Sequence, residues 1–370
     1  MENKPIFLNG LNGIRTIAAL GVLLSHINLS LREFKMFNIS LFGFDKNGNQ
    51  DSWSLGEHGV TMFFVLSGFL ITYLLLKEYD KTSFINIGKF YMRRILRIWP
   101  LYFLYISMTL IILWKYIVPD LNLVYYLTFF ANVPFIKSQS YLAMNHLWSI
   151  SVEEQFYLFW PVLFLFFVRR NFVVCVLSVI IVLSVARVFI WYVSPFSLMA
   201  LFSVVNRFDC MLIGALGAFL VHRNNKIIDI LNNRLLQISC WIIVLLLVVN
   251  KFIFFNSIIE IFVIEVVTLI IIIGQIKIKN RIVNLENPLF SYIGKLSFGL
   301  YVYHPLFIVG FYKFIDFHFF SNELLNVVII FLSVLVSSLI MAHVSYYYFE
   351  QKFLNMKTRY SVVESSNIKV

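Results

Sequence analysis

The stretch LNGIRTIAALGVLLSHI, Leu11 to Ile27, is apolar over the length of a membrane helix yet carries Arg15 and His26. An ionisable side chain in a spanning helix costs on the order of 3 kcal/mol, so each is a candidate functional group. Eleven residues of helix correspond to roughly 1100° of rotation and about 16 Å of rise, which places both side chains on one face. The pattern therefore predicts a membrane helix with one polar face.

Composition supports a membrane setting for the whole chain. Of 370 residues, 60% are hydrophobic and 13% are charged, whereas soluble domains have roughly a quarter of their residues charged. Such a chain cannot cover a soluble fold with polar groups, so we exclude disordered, secreted and nucleic-acid-binding proteins despite the net charge of +11. We predict an all-α, polytopic membrane protein.

Apolar windows of about 20 residues, the length needed to cross the hydrocarbon core, recur along the chain. We expect about ten transmembrane helices in a membrane-embedded domain, residues 8–350, followed by a polar cytoplasmic tail, residues 351–370. The segment 121–135 is shorter and is expected to be re-entrant or interfacial. The ten windows are 11–30, 58–76, 98–118, 146–168, 172–192, 200–221, 236–256, 258–276, 294–312 and 325–347.

The distribution of basic residues orients these helices, because Lys and Arg accumulate in short cytoplasmic loops. With ten spans and the amino terminus inside, twenty Lys and Arg residues fall on the cytoplasmic side and seven on the opposite side. We therefore predict that both termini are cytoplasmic.

A second polar cluster lies in NHLWSISVEEQFYLFWP, Asn145 to Pro161. Ser149 and Glu153 are four residues apart, and His146 is seven residues before Glu153, so one helical face carries them. A carboxylate at Glu153 could orient an imidazole, hold a proton or pair with a buried arginine. Arg187 and Arg207 are the arginines that could form such a pair.

A third cluster is the basic run GKFYMRRILRIWP, Gly88 to Pro100. Arg93, Arg94 and Arg97 are spaced by three and four residues, so a helix would present them together as a site for phosphate groups. Lipid headgroups and a phosphate-bearing substrate are equally compatible with this pattern.

Small residues and cysteines in the apolar runs have simpler explanations. Ser67-Gly68, Gly214 and Gly217 are expected to allow helices to approach closely. The three cysteines, Cys175, Cys210 and Cys240, all lie in apolar runs. We interpret them as buried hydrophobic residues, and we expect no metal site and no bound cofactor.

In order and topology, these segments resemble the integral-membrane acyltransferase family three, the group that includes O-antigen and exopolysaccharide O-acetylases. The resemblance covers about Leu8 to Glu350 and rests on several motifs together. One departure is visible at Thr61, where many members have an acidic residue. The motifs are the Arg15–His26 helix, GVTMFFVLSGFL from Gly59, MRRILRIWPLY from Met92, WSISVEEQFYLFWP from Trp148, SFGLYVYHP from Ser297 and YYYFE from Tyr346.

The resemblance implies an enzyme of the inner (cytoplasmic) membrane that moves an acyl group, usually acetyl, from cytoplasmic acetyl-CoA to a hydroxyl of a carbohydrate or lipid-linked glycan. It implies His26 as catalytic histidine, with Arg15 and Glu153 as its catalytic companions. Membrane lipids are further expected partners. The substrate-binding residues that it implies are Arg93, Arg94, Arg97, Ser67, His146 and Trp148.

Two mechanisms and two rival functions remain open at this point. His26 could act as general base on the acceptor hydroxyl, or it could carry the acyl group as a covalent acyl-histidine. A glycolipid or polysaccharide transporter without acyl-transfer activity could use the same polar residues to line a translocation path. In a membrane sensor or scaffold, these polar residues would form ion pairs that only stabilise the helical bundle.

Overall fold

Helices make up the regular secondary structure of residues 6–252 and 257–363, which are the residues that the computed structural model describes. A π-helical segment, Ser345–Glu350, joins the last two helices. The helices are α1 Leu11–Leu29, α2 Ser54–Thr82, α3 Ile87–Ile112, α4 Asn122–Leu127, α5 Asn132–Ile136, α6 Leu147–Val168, α7 Phe172–Val193, α8 Leu198–Val205, α9 Phe208–His222, α10 Ile227–Leu231, α11 Arg234–Val248, α12 Ser257–Lys277, α13 Pro288–Phe314, α14 Glu323–Val344 and α15 Gln351–Thr358.

Asparagine caps explain where several long helices begin. The side chain of Asn86 accepts a hydrogen bond of 2.9 Å from the Lys89 amide at the start of α3. Asn287 accepts a bond of 2.9 Å from the Phe290 amide, and Pro288 occupies the first turn of α13. Both residues satisfy backbone donors that the first turn of a helix leaves unpaired.

The prediction of an all-helical membrane protein is confirmed. In the described ranges, seven helical segments are long and apolar enough to cross a membrane. The expected count of ten spans and the cytoplasmic placement of both termini stay predictions. The seven segments are Ser54–Thr82, Ile87–Ile112, Leu147–Val168, Phe172–Val193, Leu198–His222, Ile259–Lys277 and Glu323–Thr358.

Three predicted windows, 11–30, 236–256 and 294–312, fall on α1, α11 and α13, outside these seven segments. Helix α11 has only 15 residues. The windows on α1 and α13 include polar side chains, among them Arg15, His26 and His304, which reduce their average hydropathy. Residues 253–256 of the middle window and 364–370 of the predicted tail lie outside the described residues.

The segment 121–135 contains α4 and most of α5, which have six and five residues. Neither is long enough to cross the hydrocarbon core, as expected. The segment is tied to its neighbours, since Tyr102 donates from its hydroxyl to the Tyr126 carbonyl over 2.8 Å. The Ala131 amide donates to Ser151 Oγ over 3.1 Å.

Small residues set the closest contacts in the bundle, as the sequence predicted. A Cβ atom on Gly68 would clash with the backbone of Met211, and one on Gly214 would clash with the Val65 carbonyl. Gly217 instead packs against the side chain of Leu269 in α12. Helices α2 and α9 therefore approach each other through backbone atoms, which fixes the position of α2 beside α1.

This packing predicts that Gly214→Ala destabilises the protein, because the added methyl group must push α9 away from α2. We expect a loss of about 2 kcal/mol, seen as a lower midpoint in thermal unfolding of the detergent-solubilised protein. Gly310→Ala is the matched control, since nothing lies within 4 Å of a Cβ at that position of α13. Equal midpoints for both variants would contradict the packing argument.

Candidate functional site

An open cavity lies among α1, α2, α3, α6 and α13, at the end of the bundle where α1 begins and α2 ends. Its apolar wall includes Phe63, Phe64, Leu70, Leu74 and Phe298. Five of the residues predicted from the sequence contribute its polar wall. They are Arg15, Ser67, Arg94, Arg97 and Glu153.

Glu153 is held at the cavity wall by two hydroxyl groups in series. Ser67 Oγ donates to Glu153 Oε1, and the Tyr157 hydroxyl donates to Ser67 Oγ over 2.9 Å. The guanidinium of Arg94 lies over the Tyr157 ring, 5.7 Å from its centroid. The chain Tyr157–Ser67–Glu153 thus joins α2 to α6 beside the basic residues of α3.

The sequence left open a structural pairing of Glu153 with Arg187 or Arg207, and the structure rules this out. Arg187 Nη2 lies 2.7 Å from Asp209 Oδ1. Arg207 Nη1 donates to Thr61 Oγ1 over 2.9 Å. Thr61, where many members of the resembling family have a carboxylate, therefore serves here as a hydrogen-bond acceptor for an arginine.

The arginines of the basic run differ in their partners. Arg93 is buried and pairs with Glu78, with 2.7 Å between Nη2 and Oε2, so it does not line the cavity. Arg15 donates to Asn12 Oδ1 over 2.8 Å. Among the described residues, no carboxylate lies within ion-pair distance of Arg15, Arg94 or Arg97. These three cations are available to bind an anion.

Three histidines form a second cluster toward the other end of α1. His26 Nδ1 lies 2.8 Å from His304 Nε2, and the two rings are stacked with their centroids 5.1 Å apart. The ring of His146 lies edge-on to that of His304 at 5.6 Å. His146 Nε2 also lies 3.1 Å from the Val302 carbonyl oxygen.

The backbone assigns the protons of this cluster when all three rings are neutral. His304 Nδ1 lies 3.2 Å from the Leu300 carbonyl, which can only accept, so Nδ1 carries the proton and Nε2 carries a lone pair. His26 Nδ1 must then donate to His304 Nε2. The lone pair of His26 is consequently on Nε2, the arrangement required of a base or nucleophile.

Tyr301 connects the cavity with the histidine cluster. Its side chain lines the cavity, and its hydroxyl lies 2.6 Å from Ser149 Oγ and 3.2 Å from the His146 carbonyl. Its ring lies 5.5 Å from that of His146 and 5.9 Å from that of His304. The cavity and the histidine cluster are therefore in contact through Tyr301.

The packing of α1 on α2 shows how far the cavity reaches. Gly59 faces Ala18 and Val22, whereas Gly56 faces Gly21 and Ser25. The cavity extends along α2 to Val60, beside Gly59 and so level with residues 18–22 of α1. It therefore ends about six residues of helix, or roughly 9 Å, short of the level of His26.

Besides Arg93, two other predicted substrate-binding residues, His146 and Trp148, do not line the cavity. His146 belongs to the histidine cluster, and Trp148 stacks on Phe135 with ring centroids 5.1 Å apart. Their roles stay predictions. Tyr157 and Tyr301 were not predicted as site residues, although Tyr157 follows Glu153 by one helical turn and Tyr301 precedes His304 by three residues.

Asp209, Cys210 and Glu265 form the one described group whose side chains could together hold a metal ion. Each side chain already has a partner, since Arg187 pairs with Asp209 Oδ1 and Cys210 Sγ donates to Glu265 Oε1 over 2.8 Å, whereas the buried Glu265 Oε2 has none. We interpret this group as part of the packing of α7, α9 and α12.

The network around Glu153 predicts that Glu153→Gln destabilises the protein by about 1–3 kcal/mol, because the substitution removes a carboxylate that attracts Arg94 and Arg97. Thermal unfolding in detergent measures this loss. Glu33→Gln, at an exposed position, is the control and should unfold like the unmodified protein. An unchanged midpoint for Glu153→Gln would show that the carboxylate does not stabilise the cations.

Comparison with known proteins agrees with this geometry. The acyltransferase domain family matches residues 8–343. A provisionally named O-acetyltransferase of Staphylococcus aureus strain COL is 26% identical over 342 residues, covering 81% of this chain and 50% of that protein. The O-acetyltransferase OatA of S. aureus strain NCTC 8325 is 27% identical over 237 residues, covering 59% of this chain and 35% of OatA.

The chain thus spans about half the length of the first of these relatives and about a third of OatA. No solved structure matches it. The family match covers nearly the whole described bundle, including the cavity and the histidine cluster, and it confirms the resemblance inferred from the motifs. The chain belongs to the integral-membrane acyltransferase family three.

Proposed function

We propose that the protein is an O-acyltransferase that moves an acetyl group from acyl-CoA to a carbohydrate hydroxyl. The observation that carries this proposal is the cavity with Arg15, Arg94 and Arg97 on its wall, which ends beside a cluster containing His26. The relatives named as O-acetyltransferases support acetyl as the group transferred.

The cavity fits the chemistry of an acyl-CoA donor. Its three arginines, at the end where α1 begins, suit the phosphate groups of the nucleotide. Its apolar wall, with Phe63, Phe64 and Phe298, suits the pantetheine arm. A donor in this orientation would direct its thioester toward His26.

In this scheme Arg15 binds the phosphate groups of the donor. It does not stabilise the negative charge that develops on the thioester carbonyl oxygen during acyl transfer. Arg15 and His26 are eleven residues apart in α1, which separates them by about 16 Å along the helix. The Arg15 side chain cannot reach a thioester carbonyl held beside His26 across this distance. Arg15 also shares the cavity with Arg94 and Arg97.

His26 acts on the acceptor in the simplest mechanism. Its Nε2 removes the hydroxyl proton while the hydroxyl oxygen attacks the thioester carbonyl. The new C–O bond forms, the C–S bond breaks and the thiolate of CoA leaves, after which it takes the proton from the imidazolium. His304 keeps His26 in the required tautomer and stabilises the imidazolium through the Nδ1–H bond.

An acyl-histidine relay uses the same atom differently. His26 Nε2 would attack the thioester carbonyl, the C–S bond would break and the CoA thiolate would leave. The acceptor hydroxyl would then take the acetyl group from Nε2, and its proton would pass through the freed imidazole to the thiolate. The hydrogen bond to His304 serves either mechanism, because both require the lone pair on Nε2. Mass spectrometry of the protein after exposure to acetyl-CoA without acceptor distinguishes them, since only the relay adds an acetyl group to His26.

The proposed setting is the inner membrane, with the cationic end of the cavity in the cytoplasm, where acyl-CoA is made. The acceptor would be a cell-surface or lipid-linked carbohydrate that reaches His26 from the opposite end of α1. Family membership favours this enzyme over the transporter that the sequence alone left open.

The proposal predicts that the purified protein releases free thiol from acetyl-CoA when a glycan extract from its own cells is added. His26→Ala should lower this acceptor-dependent release at least about 100-fold, because general acid–base catalysis contributes roughly 10²–10⁴. His318→Ala, in the exposed segment between α13 and α14, is the matched control and should retain full activity. Full activity of His26→Ala would refute its catalytic role.

The proton assignment predicts that His304→Phe lowers kcat by about 10–100-fold and leaves KM for acetyl-CoA within about twofold. The substitution removes the acceptor for His26 Nδ1–H, and His304 itself does not line the cavity. Steady-state kinetics separate these constants. A large rise in KM with constant kcat would place His304 in donor binding instead.

A further inference from the structure

A smaller pocket adjoins the main cavity, and the two share the lining residues Leu74 and Arg94. Its polar lining comes from α2, α3 and the carboxyl-terminal segment and includes Glu78, Arg93, Lys357 and Ser361. Arg94 lines both pockets, so a ligand that contacts Arg94 can extend into either.

The carboxyl-terminal segment is fixed against this pocket. The π-helical segment connects α14 to α15, which packs on α3. Beyond α15, the Tyr360 carbonyl accepts a hydrogen bond of 2.8 Å from Arg93 Nη1. The Val362 carbonyl accepts one of 3.3 Å from Lys81 Nζ. The segment therefore forms a wall of the pocket and positions Lys357 within it.

The charges in this pocket favour an anion. Lys357 is half-buried and lies within the repulsive field of Arg93, Arg94 and Arg97. Across residues 6–252 and 257–363, no carboxylate lies within ion-pair distance of Lys357. The buried Nε atom of Arg94 also lacks a hydrogen-bond partner. Glu78, the acid in the pocket, pairs with Arg93 through Oε2, and its buried Oε1 has no hydrogen-bond partner. With Arg93, Arg94 and Lys357 beside this one carboxylate, the lining keeps an excess of positive charge.

Buried cations without counter-charges are costly, and a doubly charged phosphate monoester would compensate them. Coenzyme A carries its diphosphate in line with the pantetheine arm, whereas its phosphate monoester branches off the ribose. A main cavity with an adjoining side pocket matches this branched shape.

We propose that Lys357 and Arg94 bind the ribose phosphate monoester of the acyl-CoA donor in this side pocket. The inference rests on the proposed function, because it takes acyl-CoA to be the donor. It assigns to the carboxyl-terminal helix α15 a direct part in donor selection.

The test compares acetyl-CoA with acetyl-dephospho-CoA, which lacks only the phosphate monoester, on the full chain in detergent. The variants are Lys357→Gln, the charge-retaining Lys357→Arg and the control Lys352→Gln, an exposed position of the same helix. We expect the unmodified protein to show a KM about tenfold lower for acetyl-CoA than for the dephospho compound.

Lys357→Gln should raise KM for acetyl-CoA toward the dephospho value, leave KM for acetyl-dephospho-CoA unchanged and leave kcat unchanged. Lys357→Arg should restore most of the preference, and Lys352→Gln should retain all of it. Equal KM values for both donors in the unmodified protein would overturn the proposal. So would a Lys357→Gln variant that keeps the preference or loses affinity equally for both donors.

Equilibrium binding separates this inference from the proposed function. If the protein does not turn over acetyl-CoA, the proposed function fails, and calorimetry with CoA and dephospho-CoA still tests the pocket. Tighter binding of CoA that Lys357→Gln abolishes would support the pocket alone. Equal binding of the two compounds, or no binding, would refute it.

Discussion

The cost of burying charge in an apolar helical bundle is the constraint on which this structure depends. Ion pairing offsets this cost for several buried charges, as for Arg93 with Glu78 and Arg187 with Asp209. Arg15, Arg94, Arg97 and Lys357 have no carboxylate within ion-pair distance among the described residues. These four cations line two adjoining pockets and so mark where an anionic substrate fits. Arg207, which also lacks a carboxylate partner, donates to Thr61 instead and lines neither pocket.

Close helix packing makes this arrangement possible. Gly68 and Gly214 bring α2 against α9, and α1 packs between α2 and α13. As a result, Ser67 of α2 reaches Glu153 of α6, and His26 of α1 reaches His304 of α13. The site is assembled from helices that are far apart in the sequence, and each contributes one or two polar side chains to an apolar interior.

Charged residues within apolar helices are the part of the site that the sequence predicts best. Arg15, His26 and Glu153 stand out because charge is rare in such helices, and the basic run of α3 stands out for the same reason. The sequence cannot show that Arg93 pairs with Glu78 while Arg94 faces the cavity, because this difference depends on how α2 and α3 pack. Tyr301 was missed because tyrosine is common throughout this chain.

The central claim is that the cations of the cavity hold the donor while His26 acts at its far end. Equilibrium binding of acetyl-CoA to His26→Gln and to Arg97→Gln tests this separation most directly. The account predicts that His26→Gln binds acetyl-CoA within about twofold of the unmodified protein, whereas Arg97→Gln binds it at least about tenfold more weakly. Loss of binding in His26→Gln, or unchanged binding in Arg97→Gln, would contradict the account.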